Sequence, residues 1–280
     1  MGLPLALVLI LPTPPVKKIQ RPVFEDFSKV EDLSKVPKVP VVTKNDIKKT
    51  HIVAKKVSKR RHLPKIAIII DDMGYEYIID EKFIRMAAPL SFAFLPYGPN
   101  TKRLARLAAS KKRDILVHVP MEPDNKNVDP GPGVLTLDMD IDALIETLEQ
   151  NIKAVPGAIG VNNHMGSRFT ANRKAMKYVL TILKQKGLFF VDSRTTKKTV
   201  AFEMAQKMGV PSAERAVFLD NSESKRAIEF QLRRLVRLAK RDGMAIGIGH
   251  PYRITYEVLY RMLPAIQKEV VIVPVHRLVH

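Results

Sequence analysis

Apolar and polar positions change rhythm at about residue 65 of this 280-residue chain. Upstream, no helical or strand period is sustained. Downstream, short apolar runs alternate with stretches in which apolar residues recur every three or four positions. The most pronounced run, Ile66-Ala67-Ile68-Ile69-Ile70, leads straight into Asp71 and Asp72, with Gly74 two places on. A continuous β-branched run of this kind predicts a strand buried on both faces, as in parallel sheets covered by helices. Two carboxylates at the exit of such a strand are costly unless a metal, a cation or substrate chemistry compensates them.

The rest of the pattern predicts a helix over 76–88 and a strand over 90–95 that ends at Pro96. A helix capped by Asn100 or Thr101 follows, and then a strand over 114–119. A loop rich in Pro and Gly leads to a helix opened by Asp140, with Ile141, Leu144, Ile145, Leu148 and Ile152 on one stripe. Strands over 158–162, 188–191, 216–219 and 244–248 follow, separated by helices opened by Asn172, at about residue 198, and by Ser224. A helix over 255–267 and an eighth apolar run over 270–275 close the chain. Strand then helix, repeated, argues for a parallel sheet with right-handed crossovers. The fold class expected is α/β, a (β/α) barrel of about seven parallel strands; the alternative is an open doubly wound sheet.

Asp71, Asp72, His118, His164, Asp192, Asp220 and His250 all fall at the C-terminal end of a predicted strand. In a parallel barrel those ends share one face, where the active site sits. A lone His beside a strand is more often a satisfied core residue. Three on one face with two acids favour an open site for Zn²⁺ or a similar divalent ion, with a remaining carboxylate as base and a remaining His as acid. Asn162 and Asn163 are either polar supports, substrate contacts or a turn. Arg194 is either a structural ion pair or an orienting group for Asp192 or His250. Glu122, four residues after His118, could ligate the ion or recognise an amide. Asp220 is the weakest member, since a helix-leading turn would explain it. His276 and His280 read as incidental.

Composition narrows the partners. There is no cysteine, which removes disulfides and thiolate metal sites. The net charge is +19. About half of that excess lies between Pro12 and Lys65, so a basic segment, not a binding stripe, carries much of it. No nucleic acid is expected, and neither a dinucleotide fingerprint nor a Walker A motif is present. Residues 1–11 resemble a truncated export signal or membrane anchor, without its positive start. Residues 12–64 read as a disordered basic Pro/Lys-rich linker able to touch a membrane surface, and 65–280 as the barrel domain.

The blocks IAIIIDDMG, SFAFLPYGPN, HVPMEP, GVNNHMGS, LFFVDSRTT, VFLDN and AIGIGHP, in this order from Lys65 onward, resemble the divergent polysaccharide deacetylases of bacteria. These are related to the NodB-type carbohydrate esterases. The resemblance implies a barrel of about seven strands, one divalent ion, zinc above all, and an acetylated polysaccharide or peptidoglycan-type glycan as substrate. The apolar start over 1–11 suggests a periplasmic or other extracytoplasmic place, with the chain anchored at a membrane by its N-terminus. The resemblance also implies Asp71 as catalytic base, Asp72 and His118 as metal ligands and His250 as the acid. Glu122 stands where the NodB pattern has its second ligating His, and His164 is the candidate replacement. The alternatives are a non-catalytic glycan- or cell-wall-binding module of the same fold, or a basic scaffold at a membrane surface.

Overall fold

The computed structural model describes residues 63–280. The expected anchor over 1–11, and the expected linker as far as residue 62, lie outside the described residues. In chain order the elements are β1 (Lys65–Met73), α1 (Tyr77–Ile84), β2 (Ser91–Phe94), α2 (Thr101–Ser110), β3 (Ile115–Met121) and α3 (Ile141–Ala154). Then come β4 (Gly160–Met165), α4 (Arg173–Gln185), β5 (Phe189–Asp192), α5 (Ala201–Met208), β6 (Ser212–Glu214) and β7 (Val217–Phe218). The last are α6 (Lys225–Asp242), β8 (Met244–Gly249), α7 (Arg253–Ile266) and β9 (Val271–Ile272).

The strands lie in the order β6-β5-β4-β3-β2-β1-β8-β7, every pair parallel. The two edge strands, β6 and β7, are joined by only Arg215 and Ala216. That link spans at most about 11 Å. A flat sheet of these strands would hold its edges roughly 34 Å apart. The sheet must therefore curl round on itself, giving the expected barrel with one unpaired seam. Arg215 staples the seam. Its guanidinium donates to the Ser193 carbonyl (2.7 Å) and the Arg194 carbonyl (3.0 Å) beyond β5, and lies 3.8 Å from the ring centre of Phe218 on β7.

Strand alternation sorts the core. Ile66, Ile68 and Ile70 face the helices, whereas Ala67 and Ile69 join Leu116, Val191, Ile246 and Ile248 in a smaller cluster inside the barrel. Two residues beyond the interior hydrocarbons, the same parity delivers Asp71, His118, Ser193 and His250. The interior is thus apolar below and polar above.

The C-terminal segment closes the lower mouth. The eighth apolar run is not a full strand. Only Val271–Ile272 pairs, with the start of β1. Val275 and Leu278 then enter the interior cluster. The Val275 N–H donates to Ser91 Oγ (3.0 Å), His276 binds Asp114 through backbone and ring, and the Ser212 N–H donates to the His280 carbonyl (3.1 Å). His276 is therefore structural rather than incidental. Two other expectations change. The first helix is shorter than 76–88, and the expected strand over 216–219 is two residues long, preceded by an unforeseen β6.

Candidate metal centre

Consecutive residues of a regular strand point to opposite faces, so Asp71 and Asp72 should part company. They do not, because Asp72 adopts a left-handed backbone with φ +54°. The β1–β2 register slips between Ile70 and Met73. A non-glycine residue in this region is uncommon and concentrates at functional sites. The turn is held from behind by Asp80, whose Oδ2 accepts the Gly74 N–H at 2.7 Å. Gly74 itself has φ +118°, and a side chain there would collide with Thr101.

Both carboxylates thereby face the upper mouth. Asp72 Oδ1 lies 3.1 Å from His118 Nε2 and 3.0 Å from His164 Nδ1, and the two ring nitrogens are 3.2 Å apart. All three side chains are buried. The donor set suits a divalent ion, and among the described residues it is the one such group whose donor atoms converge. Tetrahedral ligands about 2.05 Å from a zinc ion would stand roughly 3.3 Å from one another, close to this triangle. Both oxygens of Asp72 and His164 Nε2 are buried without a hydrogen-bond partner. A cation among the convergent donors removes most of that cost. Burial alone would raise the Asp72 carboxyl, but the His164 and His118 rings beside it hold it well below the usual range.

Asn162 joins this triangle to Asp71. Its amide nitrogen donates to both Asp71 oxygens, at 2.9 and 3.0 Å, and its carbonyl oxygen accepts from His118 Nδ1 at 2.9 Å. That bond puts the His118 proton on Nδ1 and leaves the Nε2 lone pair turned toward Asp72. Burial pushes the Asp71 carboxyl up from its ordinary value, and the neighbouring His118 and His250 offset part of the rise.

His250 stands across the mouth from Asp71. Asp220 accepts from its Nδ1 at 2.8 Å, from its backbone N–H at 2.7 Å and from the Thr255 hydroxyl at 2.7 Å. Burial opposes charging of the ring, but the Asp220 carboxylate overrides it and lifts the pKa to about 9. The charged form of the ring is thereby favoured.

Comparison with known proteins identifies the family and the fold. The profile of the family described as divergent polysaccharide deacetylase matches residues 68–279. This chain belongs to that family. The uncharacterized protein YibQ of Escherichia coli (strain K12) is 35% identical over 209 residues, covering 75% of this chain and 65% of that protein. An uncharacterized protein of Haemophilus influenzae is 38% identical over 209 residues, 75% of this chain and 74% of its own. The crystal structure of the uncharacterized protein ATU2773 from Agrobacterium tumefaciens C58 shares the fold, with a TM-score of 0.74 at 24% identity over 78% of this chain and 89% of that one.

In this member of the divergent deacetylase family, several predicted site residues lie apart from the triangle. Glu122 neither ligates nor faces it. One carboxylate oxygen pairs with Arg168 at 2.8 Å and the other accepts the Leu137 N–H at 2.7 Å, which fixes the β3–α3 loop. Asp192 has the parity of Phe190, on the helix side, and its oxygens accept from Arg194 N–H, Thr199 Oγ1 and Phe202 N–H, bracing the turn into α5. Arg194 pairs with Glu214 at 2.9 Å and orients neither Asp192 nor His250 with its guanidinium. Asn163 accepts the Ser193 N–H and donates to the Met165 carbonyl, tying β4 to β5. Ser193, whose Oγ lies 3.4 Å from the Asn162 amide, was missed, although counting two places on from Val191 would have found it. Asp220 was undervalued, because only tertiary contact shows what its carboxylate holds.

Proposed function

We propose that the protein is a metal-dependent deacetylase that removes acetyl groups from an envelope or extracellular polysaccharide, amino-sugar N-acetyl groups above all. The observation that supports this most is the buried Asp72–His118–His164 triangle, flanked by Asp71 on one side and by a charged His250 on the other. Asp72, His118 and His164 would hold one divalent ion, zinc by the donor set. When bound, the ion supplies Lewis-acid polarisation of the acetyl carbonyl and lowers the pKa of a water. Asp71 stays outside the ligand set and accepts the proton of the attacking water. Asn162 fixes the Asp71 carboxylate and the His118 tautomer together, so base and ligand keep one geometry. His250 donates its Nε2 proton to the departing amine nitrogen as the C–N bond breaks and acetate leaves. Asp220 retains the ring's orientation through that transfer.

An extracytoplasmic place follows from that substrate class, with residues 1–11 holding the chain at a membrane. The test is elemental analysis of the purified full chain, paired with acetate release from acetylated amino-sugar oligomers. About one zinc per chain is expected, with acetate release abolished in Asp71→Asn at unchanged metal content. Metal-loaded protein that retains oligosaccharides without releasing acetate would overturn this reading in favour of a glycan-binding module.

A further inference from the structure

The described domain is basic, but unevenly so. α6 carries seven Lys and Arg residues against Glu229 and Asp242. α3 carries Lys153 against Asp142, Glu146 and Glu149. Around the barrel α6 packs on α7, α7 on α1 and α1 on α2, whereas α3 packs on α4. The most cationic helix and the acidic one thus lie on different sides of the molecule.

At 3.6 residues per turn, Arg226, Phe230, Arg233, Arg237, Lys240 and Arg241 fall within an arc of about 100°. All six are exposed. The opposite arc, with Ile228, Leu232, Leu235 and Ala239, is buried against the sheet. The stripe runs about 22 Å along the helix. Carboxylates neutralise part of this charge: beside the stripe Lys225 and Arg253 pair with Glu257 and Arg261 with Glu229, and within it Lys240 pairs with Glu269 and Arg241 with Asp242. Arg226, Arg233 and Arg237 make no close ion pair among the described residues, although Arg233 lies within electrostatic reach of Glu269. Two large apolar side chains stand beside these cations. Phe230 is 37% exposed, with the Arg237 guanidinium 5.7 Å from its ring centre, and Met244, just past the helix, is 36% exposed.

The chain enters the domain at the same place. The Lys65 N–H donates to the Gly243 carbonyl at 2.9 Å. The 62 residues before the described domain, with an excess of about nine positive charges, therefore join it at the end of this stripe. The sequence that joins here carries the same sign of charge as the helix.

We propose that the outer face of α6 docks on an anionic phospholipid surface. A line of exposed cations about 22 Å long fits a plane of headgroups rather than a single small anion. Phe230 and Met244 supply the apolar contact that an interfacial helix needs. An acidic polymer would match the cations but leave those two side chains unused. Docking of this kind is independent of the chemistry proposed for the mouth. It does have a consequence for that mouth: α6 runs down the outer wall, so docking along it leaves the upper opening uncovered.

The test uses the full chain and phosphatidylcholine vesicles with or without phosphatidylglycerol, in co-sedimentation. Each cation near the surface is worth about fivefold in partitioning, so Arg226→Gln/Arg233→Gln/Arg237→Gln should weaken binding to the anionic vesicles by about a hundredfold. Lys153→Gln/Lys174→Gln/Lys177→Gln removes the same charge from exposed sites on α3 and α4 and should change binding by less than about threefold. The chain has no tryptophan. Phe230→Trp is then a single reporter, and its emission should shift to the blue on anionic vesicles and be quenched by brominated lipid. Ile141→Trp on α3 should do neither. Equal losses from the two triple variants, equal binding to neutral vesicles, or unchanged emission from the Phe230→Trp variant would each overturn the proposal. So would retention by a soluble acidic polymer with no vesicle binding.

Discussion

The two mouths of the barrel each contain a histidine bonded to an aspartate at 2.8 Å, His250 with Asp220 above and His276 with Asp114 below. The pairs look alike and do different things. The upper ring is buried, lies within the electrostatic reach of Asp71 and Asp72, and is lifted to about 9. The lower ring is 41% exposed, and its neighbours Val275 and Leu278 fill the barrel base with hydrocarbon. Asp114 also accepts the His276 backbone N–H, so that pair anchors a chain segment across the strand starts. A His–Asp bond therefore says little by itself. What surrounds it, and which end of the strands it occupies, decides whether the ring is placed as our proposed proton donor or as a closure.

The sharpest way to break this contrast is to empty the upper triangle. His164→Ala should lower bound metal from about one ion to near zero and deacetylation by at least about a thousandfold, more than the loss of one oxyanion-hole donor costs. Elemental analysis and acetate release check both. Full metal content in that variant would remove His164 from the ligand set.

Replacing the upper acid should come next. His250→Gln should reduce turnover by about a hundredfold or more at unchanged metal content. Because the folded pKa is raised to about 9 and the protonated ring is the acid, activity should fall as pH climbs through about 9. Asp220→Asn removes the main upward influence and should move that alkaline limb to lower pH. A limb that stays in place would sink the assignment. The linked stability has the same sign: present below the unfolded pKa of about 6.5, it is lost as pH rises through about 9.

The seam offers a purely structural comparison. Arg215→Met keeps some packing on Phe218 but leaves two carbonyls without their donor. It should cost about 2–3 kcal/mol in denaturant unfolding. The lower pair should matter least to chemistry. His276→Ala should cost about 1–2 kcal/mol and lower the melting temperature by about 2–8 °C, with acetate release unchanged. A loss of activity there would mean that the lower mouth shapes the upper one.

Much of this was legible along the chain. The alternation of elements, and the placing of Asp71, His118, His164 and His250 at strand ends, follow from local periodicity. Side chains repeat every two residues in a strand, so parity carries that information. The loop roles of Glu122, Asp192 and Arg194 were not legible, because a charged residue after a strand looks the same whether it meets a metal or a neighbouring N–H group. The tertiary structure alone decided that Asp72 turns inward with Asp71, since a left-handed backbone at an Asp-Asp step is imposed by register and by the Asp80 contact to Gly74. It likewise decided that His164 meets His118, because β3 and β4 pair residue by residue across 46 positions of sequence. Local preference fixes what each strand offers to the mouth; only pairing over long separations fixes which of those offers meet.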